Sequence, residues 1–140
     1  MIDSFRGQYR FLSNFYPCRI SLWGRTFPNS EIPYQAAKAA TGAWYEKICN
    51  ASTPGDAKRL GRLVPLRPDW DEVRLAFMEE IVFQKFDQNE DLKKLLLDTG
   101  DEELVEGNTW RDYFWGVCNG QGENNLGKIL MKVRDQLREA

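Results

Sequence analysis

The segment from residue 29 to residue 40 constrains the fold most, because it joins helix-start signals to a run of very small side chains. Asn29 and Ser30 are residue types that cap helix N-termini, and Pro33 is tolerated in a first helical turn. The alanines at positions 36, 37, 39 and 40 favour a helix and allow neighbouring elements to pack very close. The segment therefore predicts a helix that begins near Ser30 and packs tightly against other parts of the chain.

Three polar side chains share one stripe of this predicted helix. Glu31, Gln35 and Lys38 are spaced i, i+4 and i+7, which places a carboxylate, a carboxamide and an ammonium on one face, and Tyr34 borders them. Such a stripe is either a solvated helix face or the polar part of a functional site. The helix sequence alone leaves both interpretations open.

The chain has the composition of an ordinary globular domain. Its 140 residues are 42% hydrophobic and 29% charged, which predicts a single domain over residues 1–140. The net charge of -2 and the pI near 5.3 argue against binding nucleic acid mainly through phosphates, although they do not exclude local basic patches. No apolar run is long enough to cross a membrane and no signal peptide is visible, so we expect no membrane association and a cytoplasmic location.

The chain contains no histidine, which removes the usual general base and the commonest metal ligand. Cys18, Cys49 and Cys118 have the spacing of neither a zinc site nor a disulfide framework, and we expect them to be reduced. Acid–base chemistry would depend on Asp, Glu, Lys, Tyr or Cys, and we expect no metal and no cofactor. The aromatic residues, 13% of the chain, either fill the core or form a pocket that stacks on a planar ring.

Apolar periodicity and turn residues predict an α+β fold, a helix-rich compact domain with a small N-terminal β-hairpin. Glycine, serine, asparagine and proline interrupt the aromatic residues of the segment 5–17, so an ordered loop is expected there. A D-x-x-E capping box at Asp69 predicts the start of the longest helix, and Gly100 suits a helix C-terminus. The hairpin is expected at residues 18–27 and the other helices at 44–51, 54–63, 91–98 and 125–134.

Several polar residues outside the first helix lie in apolar or aromatic surroundings. Asp112, among the aromatic residues of the segment 110–115, is either partly desolvated, as catalytic carboxylates are, or caps a turn. Ser13 and Asn14 need partners from the backbone or from a ligand, because they lie between apolar residues. The basic side chains within residues 58–62 either decorate the surface or contact phosphate.

Ordered motifs along nearly the whole chain resemble the NADAR family, also called YbiA-like. The motifs that carry the resemblance are, in chain order, Phe5-x-Gly7, Phe11-Leu12-Ser13-Asn14-Phe15, Glu31-x-x-Tyr34-Gln35-x-x-Lys38, Met78 to Lys85-Phe86, Leu96-x-x-Thr99-Gly100-Asp101, Glu106-x-Asn108, Asp112-x-x-Trp115-Gly116 and Gly122-x-x-Asn125-Leu126-Gly127. One departure is visible. Family members commonly have a histidine directly after the motif glutamate, where this chain has Ile32.

The resemblance implies an N-glycosidase, which cleaves a ribose C1′–N bond. Its implied substrate is ADP-ribosylated guanine in DNA or RNA, from which ADP-ribose is removed, and such enzymes reverse the action of ADP-ribosyltransferase toxins. The alternative substrates are phosphoribosylamino-pyrimidine intermediates of riboflavin biosynthesis. A non-catalytic module that binds ADP-ribose or a nucleotide is the alternative of another class.

The resemblance and the chemistry of the side chains together indicate roles for individual residues. Glu31 and Asp112 would stabilise the positive charge on the sugar and handle protons. Lys38 would either attack C1′ and form a Schiff base with the opened sugar or only pair with a carboxylate. Phosphate would meet Lys58, Arg59 or Arg62. The residues expected to bind substrate are Ser13, Asn14, Tyr34, Gln35, Arg62, Trp70, Glu106, Asn108, Trp115 and Gly116.

Overall fold

Residues 1–139 are described by a computed structural model, in which the chain separates into two units. One unit consists of residues 14–88, and the other joins residues 1–13 to the segment that begins at residue 89. Within residues 1–139, no helix is both long enough and apolar enough to cross a membrane.

The unit of residues 14–88 begins with the predicted hairpin. Strands β1 (Ile20–Leu22) and β2 (Arg25–Phe27) are antiparallel, and Ile20 lies opposite Phe27. Trp23 and Gly24 connect them with φ angles of 53° and 76°, as a two-residue turn matched to the twist of a hairpin requires. The hairpin prediction is confirmed, with strands shorter than the apolar alternation suggested.

Four helices follow in the same unit: α1 (Glu31–Ala37), α2 (Gly42–Cys49), α3 (Pro54–Gly61) and α4 (Trp70–Gln88). The predicted start of α3 is confirmed, because the Thr53 hydroxyl accepts a hydrogen bond from the Asp56 amide at 3.0 Å and Pro54 follows. The predicted bounds of two helices were wrong. α2 begins at Gly42 instead of Trp44, because Thr41 caps it, and ends at Cys49 instead of Ala51. α3 ends at Gly61, two residues before the expected end.

Two caps differ from their prediction in detail. The Asn29 side chain accepts from the Ile32 amide at 2.9 Å, whereas the Ser30 hydroxyl donates to Asn14 Oδ1 at 2.8 Å. At the start of α4, the Asp69 carboxylate accepts from the Arg67 guanidinium at 2.6 Å. The capping box located the start of α4 correctly, since the helix begins at Trp70. The Asp69 carboxylate, however, bonds to Arg67 in the loop before the helix.

The core of this unit explains why the alanines matter. Ala36 of α1 and Ala57 of α3 are 1% and 0% exposed, and they lie in one apolar cluster with hairpin residues Ile20 and Phe27. Because these side chains are so small, α1 packs closely against α3, and every residue from Glu31 to Ala37 is buried. The polar stripe of α1 is therefore not a solvated helix face.

The unit containing residues 1–13 has a 3-10 helix at Gly7–Leu12, α5 at Glu90–Asp98 and α6 at Asn125–Glu139. The ordered-loop prediction was wrong for residues 7–12. Gly7, with a φ of 57°, permits the turn, and a single 3-10 segment has no apolar period that a sequence could reveal. Gly100 has the predicted left-handed φ, 63°, after α5, and α6 extends five residues beyond its expected end at Arg134.

Bridges between isolated residues order the irregular segment between α5 and α6. Ile2 pairs with Leu104, and Gly107 pairs with Val117. The fold class is confirmed: the chain is helix-rich, and its sheet has two antiparallel strands within residues 1–139.

Candidate active site

Buried polar side chains occupy the first turns of α1. The Gln35 amide donates through Nε2 to Glu31 Oε1 at 2.8 Å, and the two side chains are only 4% and 7% exposed. The backbone amide of Glu31 donates to the Asn14 carbonyl at 3.1 Å. Asn14, Glu31 and Gln35, which the sequence selected, therefore lie in one hydrogen-bonded group. Burying the Glu31 carboxylate away from water costs free energy of folding unless the charge is paired or hydrogen-bonded.

Lys38 directly follows α1 and is half-buried. Burial lowers the pKa of its ammonium, and the Glu31 carboxylate opposes that effect. Its Nζ lies 5.5 Å from the centre of the Tyr34 ring, one turn earlier. A lysine with a lowered pKa holds more neutral amine at a given pH, which is the form that attacks an electrophilic carbon.

Three further cations act on Lys38. The positive charges of Arg74, Arg62 and Lys58 each lower its pKa further. Lys58 lies in α3 and Arg62 directly follows it, whereas Arg74 belongs to α4. Arg59, also proposed to meet phosphate, instead forms an exposed ion pair with Asp56 at 3.6 Å.

Sequence reasoning missed Arg74. It lies one helical turn after Trp70, so the spacing could have placed it on the Trp70 face of α4. Its ion pair with Asp71, at 3.7 Å, is a weak surface pair, since the Asp71 side chain is 93% exposed.

The Tyr34 ring, which lies beside Lys38, contacts a second aromatic ring. Tyr34 and Trp70 have ring centres 5.4 Å apart, and Trp70 stacks on Phe77 with centres 6.3 Å apart. Trp70 is only 4% exposed, and Tyr34 and Phe77 cover it. These contacts favour a supporting role for Trp70 beneath Tyr34 over direct stacking on a base. Phe15 instead is 43% exposed, and Lys58 Nζ lies 5.9 Å from its ring centre.

The predicted site residues of the other unit gather around Asn108. Its Nδ2 donates to Glu106 Oε2 at 2.9 Å and to the Asp112 carbonyl at 3.0 Å, while its Oδ1 accepts from the Asp112 amide at 3.0 Å. Asp112 Oδ1 accepts from the backbone amides of Phe114 and Trp115, at 3.2 and 2.9 Å. These contacts fit the turn-capping interpretation of Asp112, and a catalytic role for it stays a prediction.

Trp115 and Ser13 complete the predicted set in this unit. Trp115 is half-buried and packs edge-on against Phe114, with ring centres 4.8 Å apart. Ser13 is the C-terminal cap of the 3-10 helix, and its amide donates to the Arg10 carbonyl at 3.0 Å. Both positions are compatible with substrate contact, which stays a prediction.

Gly116 approaches Glu106 too closely for any side chain. A Cβ at Gly116 would overlap with Glu106 Oε2 and the Glu106 carbonyl, and it would lie 2.7 Å from Asn108 Nδ2. We expect Gly116→Ala to lower the free energy of unfolding by about 1–3 kcal/mol, the usual cost of overpacking. Urea unfolding at pH 7 measures it, with Gly120→Asn as the control at an open position of positive φ. Equal stability of Gly116→Ala and the original chain would contradict the expectation.

Within residues 1–139, no group of three or more His, Cys, Asp or Glu side chains is placed to hold a metal ion. The side chains at α1 are a carboxylate, a carboxamide and an amine, and the charges of three further cations act on the amine.

Comparisons with known proteins identify the family of the chain. The NADAR domain model matches residues 4–138. N-glycosidase YbiA from Escherichia coli (strain K12) is 39% identical over 132 residues, which cover 92% of this chain and 82% of that protein. N-glycosidase Npun_R5314 from Nostoc punctiforme is 42% identical, over 93% of this chain and 86% of that protein.

A longer relative and a solved structure extend the comparison. Riboflavin biosynthesis protein VVA0006 from Vibrio vulnificus is 45% identical over 92% of this chain, but this chain spans only 36% of that protein. The NMR structure of the Escherichia coli protein YbiA matches with a TM-score of 0.88 and 36% identity, over 99% of this chain and 88% of that chain. The two relatives that this chain matches over more than four fifths of their length carry the name N-glycosidase, so the activity class is hydrolysis of N-glycosyl compounds. The chain belongs to the NADAR domain family.

Proposed function

We propose that this chain removes ADP-ribose from ADP-ribosylated guanine by hydrolysing the bond between ribose C1′ and the base nitrogen. The observation that carries the proposal is the arrangement on α1. A buried carboxylate, Glu31, acts electrostatically on Lys38, an amine whose pKa burial lowers. Cleavage of a glycosidic bond develops positive charge on the sugar, and a nearby carboxylate stabilises it.

The proposed reaction uses Lys38 as the nucleophile and Glu31 as the proton carrier. The neutral Lys38 amine attacks C1′, the C1′–N bond breaks, and its electron pair leaves with the base nitrogen, which takes up a proton. The two protons of the lysine amine pass through Glu31, one to the departing base nitrogen and one to the ring oxygen O4′. As the C1′–O4′ bond breaks, the sugar ring opens and an imine joins Lys38 to C1′. Water then adds to the imine carbon, releasing the sugar as an aldehyde and restoring the amine. A role for Lys38 only as an ion-pair partner of Glu31 is the alternative.

The cations around Lys38 support a phosphate-bearing substrate. Arg74, Arg62 and Lys58 supply positive charge from two helices, and a diphosphate is the anion that several converging cations favour. The exposed Phe15 ring beside Lys58 offers a surface for a planar base. Because the whole chain carries a net charge of -2, we expect the enzyme to hold mainly the ADP-ribose and little of the nucleic-acid backbone.

A second candidate substrate is a phosphoribosylamino-pyrimidine. The name of the Vibrio vulnificus relative, a riboflavin biosynthesis protein, favours it, and the same cations suit its single phosphate. The non-catalytic alternative, a module that binds ADP-ribose without turnover, has the same contacts but needs no nucleophile.

Product analysis separates these candidates. The purified protein is incubated separately with an ADP-ribosylated guanine oligonucleotide and with a phosphoribosylamino-pyrimidine, and products are identified by mass spectrometry. Free ADP-ribose from the first substrate supports the proposal. Release of pyrimidine and ribose 5-phosphate from the second alone would make the chain a metabolite glycosidase, and binding without release from either would favour the binding module.

We expect turnover of the cleaved substrate to be unchanged in excess chelator, because Glu31 and Lys38 supply the proposed chemistry. The measurement is the initial rate before and after dialysis against the chelator. A loss of rate that added divalent metal restores would contradict this expectation.

The cellular setting belongs to the proposal. An enzyme with this substrate would act alongside an ADP-ribosyltransferase toxin that modifies guanine, in the cytoplasm. Both the toxin pairing and the cytoplasmic location are predictions from the sequence.

A further inference from the structure

A glycine in α3 lies directly against the amide that binds the buried carboxylate. A Cβ at Gly61 would overlap with Gln35 Oε1 and lie 2.6 Å from Gln35 Cδ. Gly61 is buried and is the last residue of α3, where alanine has the higher helix propensity. Its φ does not lie in the left-handed region, so backbone conformation does not explain a glycine here. The close approach of the Gln35 side chain explains the glycine at this position.

The contact with Gly61 determines where the Gln35 amide lies. Nε2 points to Glu31 Oε1 at 2.8 Å, and Oε1 points towards Gly61. Oε1 is buried and accepts no hydrogen bond from any of residues 1–139. On its Oε1 side, the Gln35 amide is therefore held by packing against Gly61 and not by a hydrogen bond.

We infer that Gly61 is a positioning residue for the catalytic carboxylate, because its missing side chain leaves the space in which the Gln35 amide reaches Glu31. The inference rests on the proposed function. Any side chain at position 61 displaces the amide until ordinary van der Waals separation is restored, and the 2.8 Å bond to Glu31 is then lost. A displacement of about 1 Å in the groups that orient a catalytic residue can reduce a rate by about 100-fold.

The first test is kinetic. We expect Gly61→Ala to lower kcat by about 10- to 100-fold while KM changes less than about twofold, because the carboxylate loses its orientation and the phosphate-binding cations are untouched. Gly55→Ala is the matched control in the same helix, since the nearest side-chain atom to a Cβ there is Thr53 Oγ1 at 3.8 Å. An unchanged kcat in folded Gly61→Ala would overturn the inference.

A double variant distinguishes positioning from a general disturbance of α3. In a Gln35→Ala background the three atoms nearest to a Cβ at position 61, all from Gln35, are gone, so Gly61→Ala is expected to lower kcat no further. Equal losses from Gly61→Ala in both backgrounds would show that the effect does not pass through Gln35, and would contradict the inference.

Gln35→Leu covers the case in which Gly61→Ala does not fold. It removes the amide but keeps a side chain of similar bulk, and we expect the same loss of kcat with little change in KM. A kcat equal to that of the original chain would overturn the inference.

One readout is independent of turnover. The side-chain amide signals of Gln35 in a nitrogen–proton NMR spectrum are identified by their loss in Gln35→Ala, and they are expected to shift in Gly61→Ala but not in Gly55→Ala. Unshifted signals contradict the inference even in an active enzyme. If the original chain cleaves no N-glycoside, the proposed function fails, and the NMR comparison still decides whether Gly61 positions the amide.

Discussion

Replacing Lys38 with alanine is expected to lower turnover by more than ~100-fold, the usual scale for a residue that acts directly in proton transfer or bond formation. The alanine variant has no amine to attack C1′. Its melting temperature is expected to stay equal or rise, because the variant removes a half-buried cation that lies in the field of Arg74, Arg62 and Lys58.

Glu31→Gln is expected to cause a loss of the same scale by removing the negative charge while keeping the shape of the side chain. Lys47→Ala is a matched control, since Lys47 is an exposed lysine in α2. The measurements are single-turnover rates and melting temperatures for each variant. Unchanged rates in folded Lys38→Ala or Glu31→Gln would disprove the assignment of the site.

The buried Lys85 is expected to make stability rise with pH. Its side chain is 1% exposed, and burial lowers the pKa of the ammonium to about 8, with the Cys18 charge opposing the effect. The unfolded chain keeps the ordinary pKa of 10.5, so between pH 8 and 10.5 the unfolded state binds more protons than the folded state. Below pH 8 the buried charge costs about 3 kcal/mol, and this cost disappears as the pH rises through that window.

Comparison with Lys85→Met isolates this contribution from other groups that titrate above pH 8. We expect the stability of Lys85→Met relative to the original chain to fall by about 3 kcal/mol between pH 8 and 10.5. Urea unfolding at several pH values measures it, and Lys47→Met serves as the exposed control. A difference between the Lys85 variant and the original chain that stays constant with pH would rule out a lowered pKa at this position.

The sequence predicted the composition of the α1 stripe but not its burial. The spacing of Glu31, Gln35 and Lys38 follows from helical geometry alone. Whether that face meets water depends on what packs against it, and the close packing of α3 through Ala57 and Gly61 joins residues that are far apart in sequence. For the same reason, local spacing could show the face on which Arg74 lies but not that this face is directed at Lys38.

The region around Asp112 shows how composition can leave two interpretations open. Its aromatic neighbours suggested a desolvated carboxylate, whereas the structure shows Asp112 Oδ1 bonded to two backbone amides of its own turn. Short polar side chains commonly bond to the backbone two or three residues onward, so this alternative was visible in the sequence. The 3-10 helix at Gly7–Leu12 was not visible in the sequence, because it depends on the left-handed conformation of one glycine, Gly7.

The most direct test of the proposed mechanism is to trap the intermediate on Lys38. The protein is mixed with ADP-ribosylated guanine oligonucleotide in the presence of borohydride, digested and analysed by mass spectrometry. We expect a reduced ADP-ribose adduct on the peptide containing Lys38, absent from Lys38→Ala and present in Lys47→Ala. Release of ADP-ribose at the full rate with no adduct, and with Lys38→Ala equally active, would contradict the proposed mechanism.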